Sequence, residues 1–148
     1  MSDDVIDKNC LSYWFPRLEA AGLPVPKTRI VRSPGLRPLL DGQIPEGFDD
    51  FLTRLLAAAH QVGGFPIFLR TGQGSAKHQW RNTCFVTDPA RLPDHVRNLV
   101  EWSEIVDFLG LPHHVWAVRE MLPTVPVMHA YEGMPVVKEF RFFVRVLK

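Results

Sequence analysis

The sequence predicts an α+β fold, and three observations carry that prediction. Apolar residues recur at helical spacing over 51–62 and again over 93–109. Short β-branched or aromatic runs stand at 28–32, 65–70, 82–87 and 115–121, and a hairpin-like apolar pattern occupies 127–146. With one short helix in front, the order reads β-α-β-β-α-β followed by β-β. A small lobe followed by the start of a second antiparallel lobe is the arrangement this order favours. The chain has 148 residues, enough for one domain or two small lobes. A chain of that size buries roughly 70% of its unfolded surface without needing disulfides or a structural metal.

Residues 1–8 are polar and are expected to fray. The first helix is expected around Tyr13 to Ala21, with Pro16 in its first turn and Gly22 at its C-terminal end. Thr28 to Arg32 has the β-branched centre of a strand. Ser33 to Gly47, with Pro34, Pro38 and Pro45, reads as an irregular connection and gives a boundary at 47, so that 1–47 form an N-terminal unit. Asp49 or Asp50 can cap the next helix, whose Phe51, Leu52, Leu55, Leu56, Ala59 and Val62 share a face before Gly63-Gly64 ends it. Phe65 to Arg70 reads as a strand, Thr71 to Lys77 as a glycine-containing tip, and Asn82 to Thr87 as the returning strand. Pro93 starts a second long helix that runs to Leu109, with Gly110 behind it. Val115 to Met121 is the last strand of the lobe 48–123. In 124–148, Val127 to Tyr131 and Val136 to Val146 flank a turn at Glu132-Gly133.

Charge and composition exclude several functions. Lys and Arg number 17 against 16 Asp and Glu, so no overall field draws the chain to nucleic acid or an anionic membrane. The longest apolar runs fall far short of the ~20 residues that cross a bilayer, and the acidic Met1 to Asp7 lacks a signal region, so a cytoplasmic location is expected. Cys10 and Cys84 match no ligand spacing and read as reduced, buried thiols. His113 and His114 diverge on an extended chain and have no third ligand at a suitable spacing, which fits a loop before a strand.

Local charge says more. No acidic residue lies between Asp50 and Asp88, whereas Arg54, Arg70, Lys77 and Arg81 all do. The tip Thr71-Gly72-Gln73-Gly74-Ser75-Ala76-Lys77 can turn backbone N–H groups toward a phosphate, since glycine allows close approach. Because a strand follows this loop, it is neither a Walker motif nor a dinucleotide fingerprint. A solvated hairpin tip is the competing reading.

Several stretches resemble the ATP-grasp superfamily of ATP-dependent ligases. Ala20-Ala21-Gly22-Leu23-Pro24-Val25-Pro26-Lys27-Thr28 is similar to the family's lead-in to its small nucleotide-binding lobe. Gly63-Gly64-Phe65-Pro66-Ile67-Phe68-Leu69-Arg70 is similar to its Gly-aromatic-Pro strand ending in a base, with Arg70 where the family usually has Lys. The resemblance equates Gly72, Gly74, Ser75 and Lys77 with the flexible glycine-rich loop over the triphosphate. It equates Val118-Arg119-Glu120-Met121-Leu122-Pro123 with the hinge, where Glu120, Met121 and Leu122 would hold adenine. In Glu139-Phe140-Arg141-Phe142-Phe143-Val144, Glu139 would contact ribose and Arg141 the phosphates or substrate. The chain is also similar to uncharacterised bacteriophage or prophage proteins of this type, which implies no reaction. The cofactors implied are ATP and Mg²⁺, and the partners are the nucleotide and a small-molecule or peptide carboxylate. The activity implied for a complete protein is ligation of that carboxylate to an amine or thiol through an acyl phosphate.

The family's metal ligands, an acid followed by Glu-x-Asn, have no counterpart here, since no Glu-x-Asn occurs in the chain. The expectation is therefore the ATP-binding front part of a longer fold, with a non-catalytic binding or structural module, of phage origin, as the alternative. The residues themselves leave choices open. Arg70 suits a phosphate or an ion pair with Glu120 or Glu139, and Lys77 suits a phosphate or solvent. His78 suits a phosphate, solvent or a packed position, and Trp80 suits packing. Strand alternation sends Arg119 and Glu120 to opposite faces, with Glu120 read as the one in the cleft. Glu139 and Arg141 share a strand face opposite Phe140, and Phe140, Phe142, Phe143 and Trp116 read as core.

Overall fold

A computed structural model describes residues 6–140. Helix α1 (Leu11–Ala20) leads to strand β1 (Thr28–Arg32), a 3-10 turn at Arg37–Asp41, helix α2 (Phe48–Gln61) and strand β2 (Ile67–Thr71). A connection containing a 3-10 turn at Lys77–Gln79 reaches β3 (Phe85–Val86). Helix α3 (Leu92–Ile105), strand β4 (Val115–Glu120) and the short strands β5 (Met128–Ala130) and β6 (Met134–Val136) follow. The fold is a small mixed α/β domain with a four-stranded sheet in the order β1-β4-β2-β3, every neighbour antiparallel, and a separate β5-β6 pair. Because β1 is bonded to β4, residues 28–47 share the sheet and core of 48–123. No helix among the described residues is long and apolar enough to cross a membrane.

Strand register divides the sheet into two chemically different faces. Phe68 stands opposite Arg119 and Arg70 opposite Ala117, while Thr28 and Ile30 face the same two β4 residues from the other side. Phe68, Arg70, Ala117 and Arg119 therefore lie on one face, and Ile67, Leu69, Trp116 and Val118 on the other. Helices α2 and α3 cover the second face with Phe51, Leu55, Val96, Leu99 and Val100, all fully buried. The Phe51 ring meets Trp116 edge-on at 5.6 Å, and each such side chain contributes about 1.5–3 kcal/mol by leaving water. Helix α1 covers only part of the first face, setting Leu11 and Phe15 on Ala117. The rest of that face stays open.

Several element ends differ from the sequence reading for local reasons. Helix α1 starts at Leu11, which puts Pro16 in its second turn. Gly47 adopts a left-handed backbone (φ 77°) and starts α2 at Phe48, so Asp49 and Asp50 sit in the first turn and favour its positive end without capping it. Strand β2 begins only at Ile67, after Pro66, which has no N–H for a ladder. Asn82 and Thr83 bond back to the Gln79 carbonyl, so β3 shrinks to Phe85–Val86. Helix α3 ends at Ile105: the Leu111 amide folds back onto the Ser103 carbonyl at 2.7 Å, leaving Phe108 99% and Leu109 90% exposed. Strand β6 spans only Met134–Val136, so the expected strand to Val146 is absent over 137–140, where Glu139 lies on irregular chain, and from Arg141 on it falls outside the described residues. Phe140 is 69% exposed and is not core; Phe142 and Phe143 lie outside the described residues.

Candidate functional site

The open part of the first sheet face is the floor of a cleft of about 710 Å³, within the size range of small-molecule sites. Phe68, Arg70 and Arg119 rise from the sheet, Lys77 and Trp80 stand on the connection after β2, and Met134 to Val137 of the hairpin form the facing wall. Trp80 is buried, stacked on Phe85 at 5.0 Å and close to Phe68 at 6.0 Å, which stiffens that side.

Two arginines dominate the electrostatics. Arg70 and Arg119 are diagonal neighbours across β2 and β4. Arg70 donates from Nε to the Thr71 carbonyl at 2.9 Å. Arg119 lies with its guanidinium carbon 5.2 Å from the centre of the Phe15 ring, and its Nε–H is buried with no hydrogen-bond partner. Among the described residues neither arginine has a carboxylate within ion-pair distance. Burial, and then the charge of Arg119, push the Arg70 guanidinium down to about 10, and burial lowers Arg119 as well. Two half-buried like charges and an orphaned N–H are costly alone and favourable around an anion.

The structure brings together Arg70, Lys77, Glu120, Met121, Leu122 and Glu139 on this cleft. Arg141 lies outside the described residues. Alternation places Arg119, not Glu120, on the floor. The Glu120 carboxylate instead accepts the Lys27 amide at 2.7 Å, while the Glu120 amide donates to the Lys27 carbonyl at 3.0 Å. That reciprocal clamp fixes the end of β4 against the segment entering β1. Beyond it, the amides of Met121 and Leu122 donate to no backbone carbonyl among the described residues.

Gly72, Gly74 and Ser75 do not line the cleft. The expected open tip is a closed turn: the Thr71 amide donates to the Gly74 carbonyl at 2.9 Å, and the Gly74 amide returns to Thr71 Oγ1 at 3.0 Å. Gly72 continues the pairing, donating to Val115 and accepting from Leu11. A Cβ on Gly72 would stand 2.4 Å from Cys10 Sγ, and one on Gly74 2.4 Å from the Trp102 ring. These glycines serve close packing, and their amides are largely spent within the fold.

The remaining candidates have structural employment. Cys10 and Cys84 are free and buried, and burial pushes the Cys84 thiol up to about 11. His113 Nε2 pairs with Glu104 at 2.9 Å, holding the turn after α3. Among the described residues no three His, Cys, Asp or Glu side chains gather as a metal site. At the cleft the carboxylates are Glu120, already held by Lys27, and Glu139, so this donor set does not fit a protein-held Mg²⁺.

The floor residue that sequence reasoning missed is Arg119. Its signal was the apolar pair Trp116 and Val118, which fixes the core face of β4 and leaves Arg119 on the other, beside Arg70 once β2 pairs with β4. The chain matches no protein-family model, no curated protein and no solved structure.

Proposed function

We propose that the cleft binds a nucleoside triphosphate, with its phosphates on Arg70, Arg119 and Lys77 and its base against the apolar wall of Phe68, Leu122 and Met134. The observation that carries this reading is the paired, half-buried Arg70 and Arg119, which among the described residues have no carboxylate within ion-pair distance, one of them with an orphaned N–H. Polyphosphate is the ligand chemistry that engages two guanidinium forks and an ammonium together. The unspent amides of Met121 and Leu122 supply hydrogen bonds for a base edge beside them.

The ATP-grasp resemblance extends the proposal to carboxylate ligation in a complete protein. There a carboxylate oxygen attacks the γ-phosphorus, ADP leaves, and an amine or thiol displaces phosphate from the acyl phosphate. Mg²⁺ chemistry finds no donor set here, so no step is assigned to it. The alternative is a binding or structural module without turnover, which the internally bonded Gly72–Ser75 turn favours, since that turn has few amides left for a phosphate.

Calorimetry tests the binding reading. Charge-assisted contacts worth about 1.5–3 kcal/mol each mean that Arg70→Ala or Lys77→Ala weakens ATP about 10-fold or more and leaves adenosine unaffected. Absence of ATP binding at millimolar nucleotide with Mg²⁺ rejects the proposal.

A further inference from the structure

The facing wall of the cleft is the β5-β6 hairpin, and neither of its strands joins the main sheet. A two-stranded hairpin alone is marginal in water, and this one leaves Val127 and Met128 well exposed. Contact with the body comes at its turn, where Tyr131, Glu132 and Gly133 all take left-handed backbone (φ 42°, 63° and 92°). The Tyr131 ring meets His78 edge-on at 4.4 Å. Gly133 lies so close to Arg81 that a Cβ there would stand 3.1 Å from Nη2.

His78 lies within the short turn Lys77–Gln79 that carries Lys77, and Arg81 follows just after it. That turn is rigidly based: the buried Thr83 hydroxyl is shared between the Ala76 and Gln79 carbonyls at 2.8 and 2.9 Å, and the Thr83 carbonyl meets His95 Nδ1 of α3 at 2.8 Å. A ligand pulling on Lys77 therefore acts on the element that seats the hairpin.

We infer that His78 and Arg81 are positioning residues of the cleft, seating the β5-β6 hairpin so that a phosphate held by Lys77 closes this wall over the nucleotide. The inference rests on the nucleotide reading above. It distinguishes phosphate-bearing ligands from bare nucleosides by motion of a wall that touches no phosphate itself.

Hydrogen exchange across 127–136 tests it on the full chain. In the wild type, saturating ATP slows exchange there by about 5-fold or more, the scale of ordinary coupling between sites, and adenosine does not. Arg81→Ala and Tyr131→Ala lose that slowing and weaken ATP about 5-fold or more, while Tyr131→Phe, which keeps the ring edge, retains both. If calorimetry finds no ATP binding by the wild type, the nucleotide reading falls and this inference with it. If ATP binds while hairpin exchange stays unchanged, or if adenosine slows it equally, the coupling alone is refuted. That wild-type comparison holds even if a variant fails to fold.

Discussion

Arg119→Met keeps an apolar side chain over Phe15 and removes the charge beside Arg70. Arg70 is lowered to about 10, which sets its surroundings against its charged form. Burial is the larger cause and Arg119 the second, and solvent reaching the half-buried pair screens it. Removing Arg119 therefore relieves the smaller part of that cost. Since Arg119 Nε has no partner among the described residues, methionine leaves no acceptor stranded there. Folding stability should be unchanged or rise by about 1 kcal/mol, as when a poorly paired buried charge is replaced by an apolar group. ATP affinity should fall about 10-fold or more with the lost charge-assisted contact. Urea denaturation and calorimetry on the same variant measure both numbers. A loss of 2 kcal/mol or more in stability with unchanged ATP affinity would make Arg119 a structural residue and refute the reasoning.

Gly74→Ala drives a methyl group into the Trp102 ring and should cost about 1–3 kcal/mol in urea denaturation; a neutral result would mean the turn is not packed as described. His95 is buried and held below its ordinary 6.5 by burial, so the folded state favours neutral imidazole. The unfolded chain then binds more protons just below pH 6.5, and stability that is full above this value falls as pH drops toward the folded value. His95→Gln should lack this component in urea midpoints taken from pH 7.5 to 5. Phe108→Ser, at a fully solvated position, should leave the thermal midpoint within the change expected of about 0.5 kcal/mol.

The core was readable because it repeats. Phe51, Leu55 and Ala59 recur at helical spacing and all are buried in α2, and the strands of the main sheet lie where β-branched and aromatic runs stand. The same periodicity overran α3, since Ile105 and Leu109 continue the pattern but face water once the chain folds back onto Ser103. The candidate site was legible in part: Arg70, Lys77 and Glu120 to Leu122 meet on one cleft because strand order carries them there. The glycines misled because their tight neighbours, Cys10 and Trp102, are distant in sequence, so close packing and phosphate cradling leave the same local mark. Arg119 was missed because alternation separates it from Glu120 without saying which of the two stands on the floor of the cleft that both line, and the clamp of Glu120 to Lys27 is a contact between distant segments.

The most direct test of the central claim observes the arginine Nε–H groups themselves by nuclear magnetic resonance, with Arg119→Met supplying the assignment. If the cleft holds a triphosphate, the Arg119 Nε–H, which has no partner among the described residues, gains one, and its resonance and that of Arg70 move downfield with ATP or tripolyphosphate but not with adenosine. Resonances of Arg70 and Arg119 that stay in place at millimolar ATP with Mg²⁺ would contradict the account.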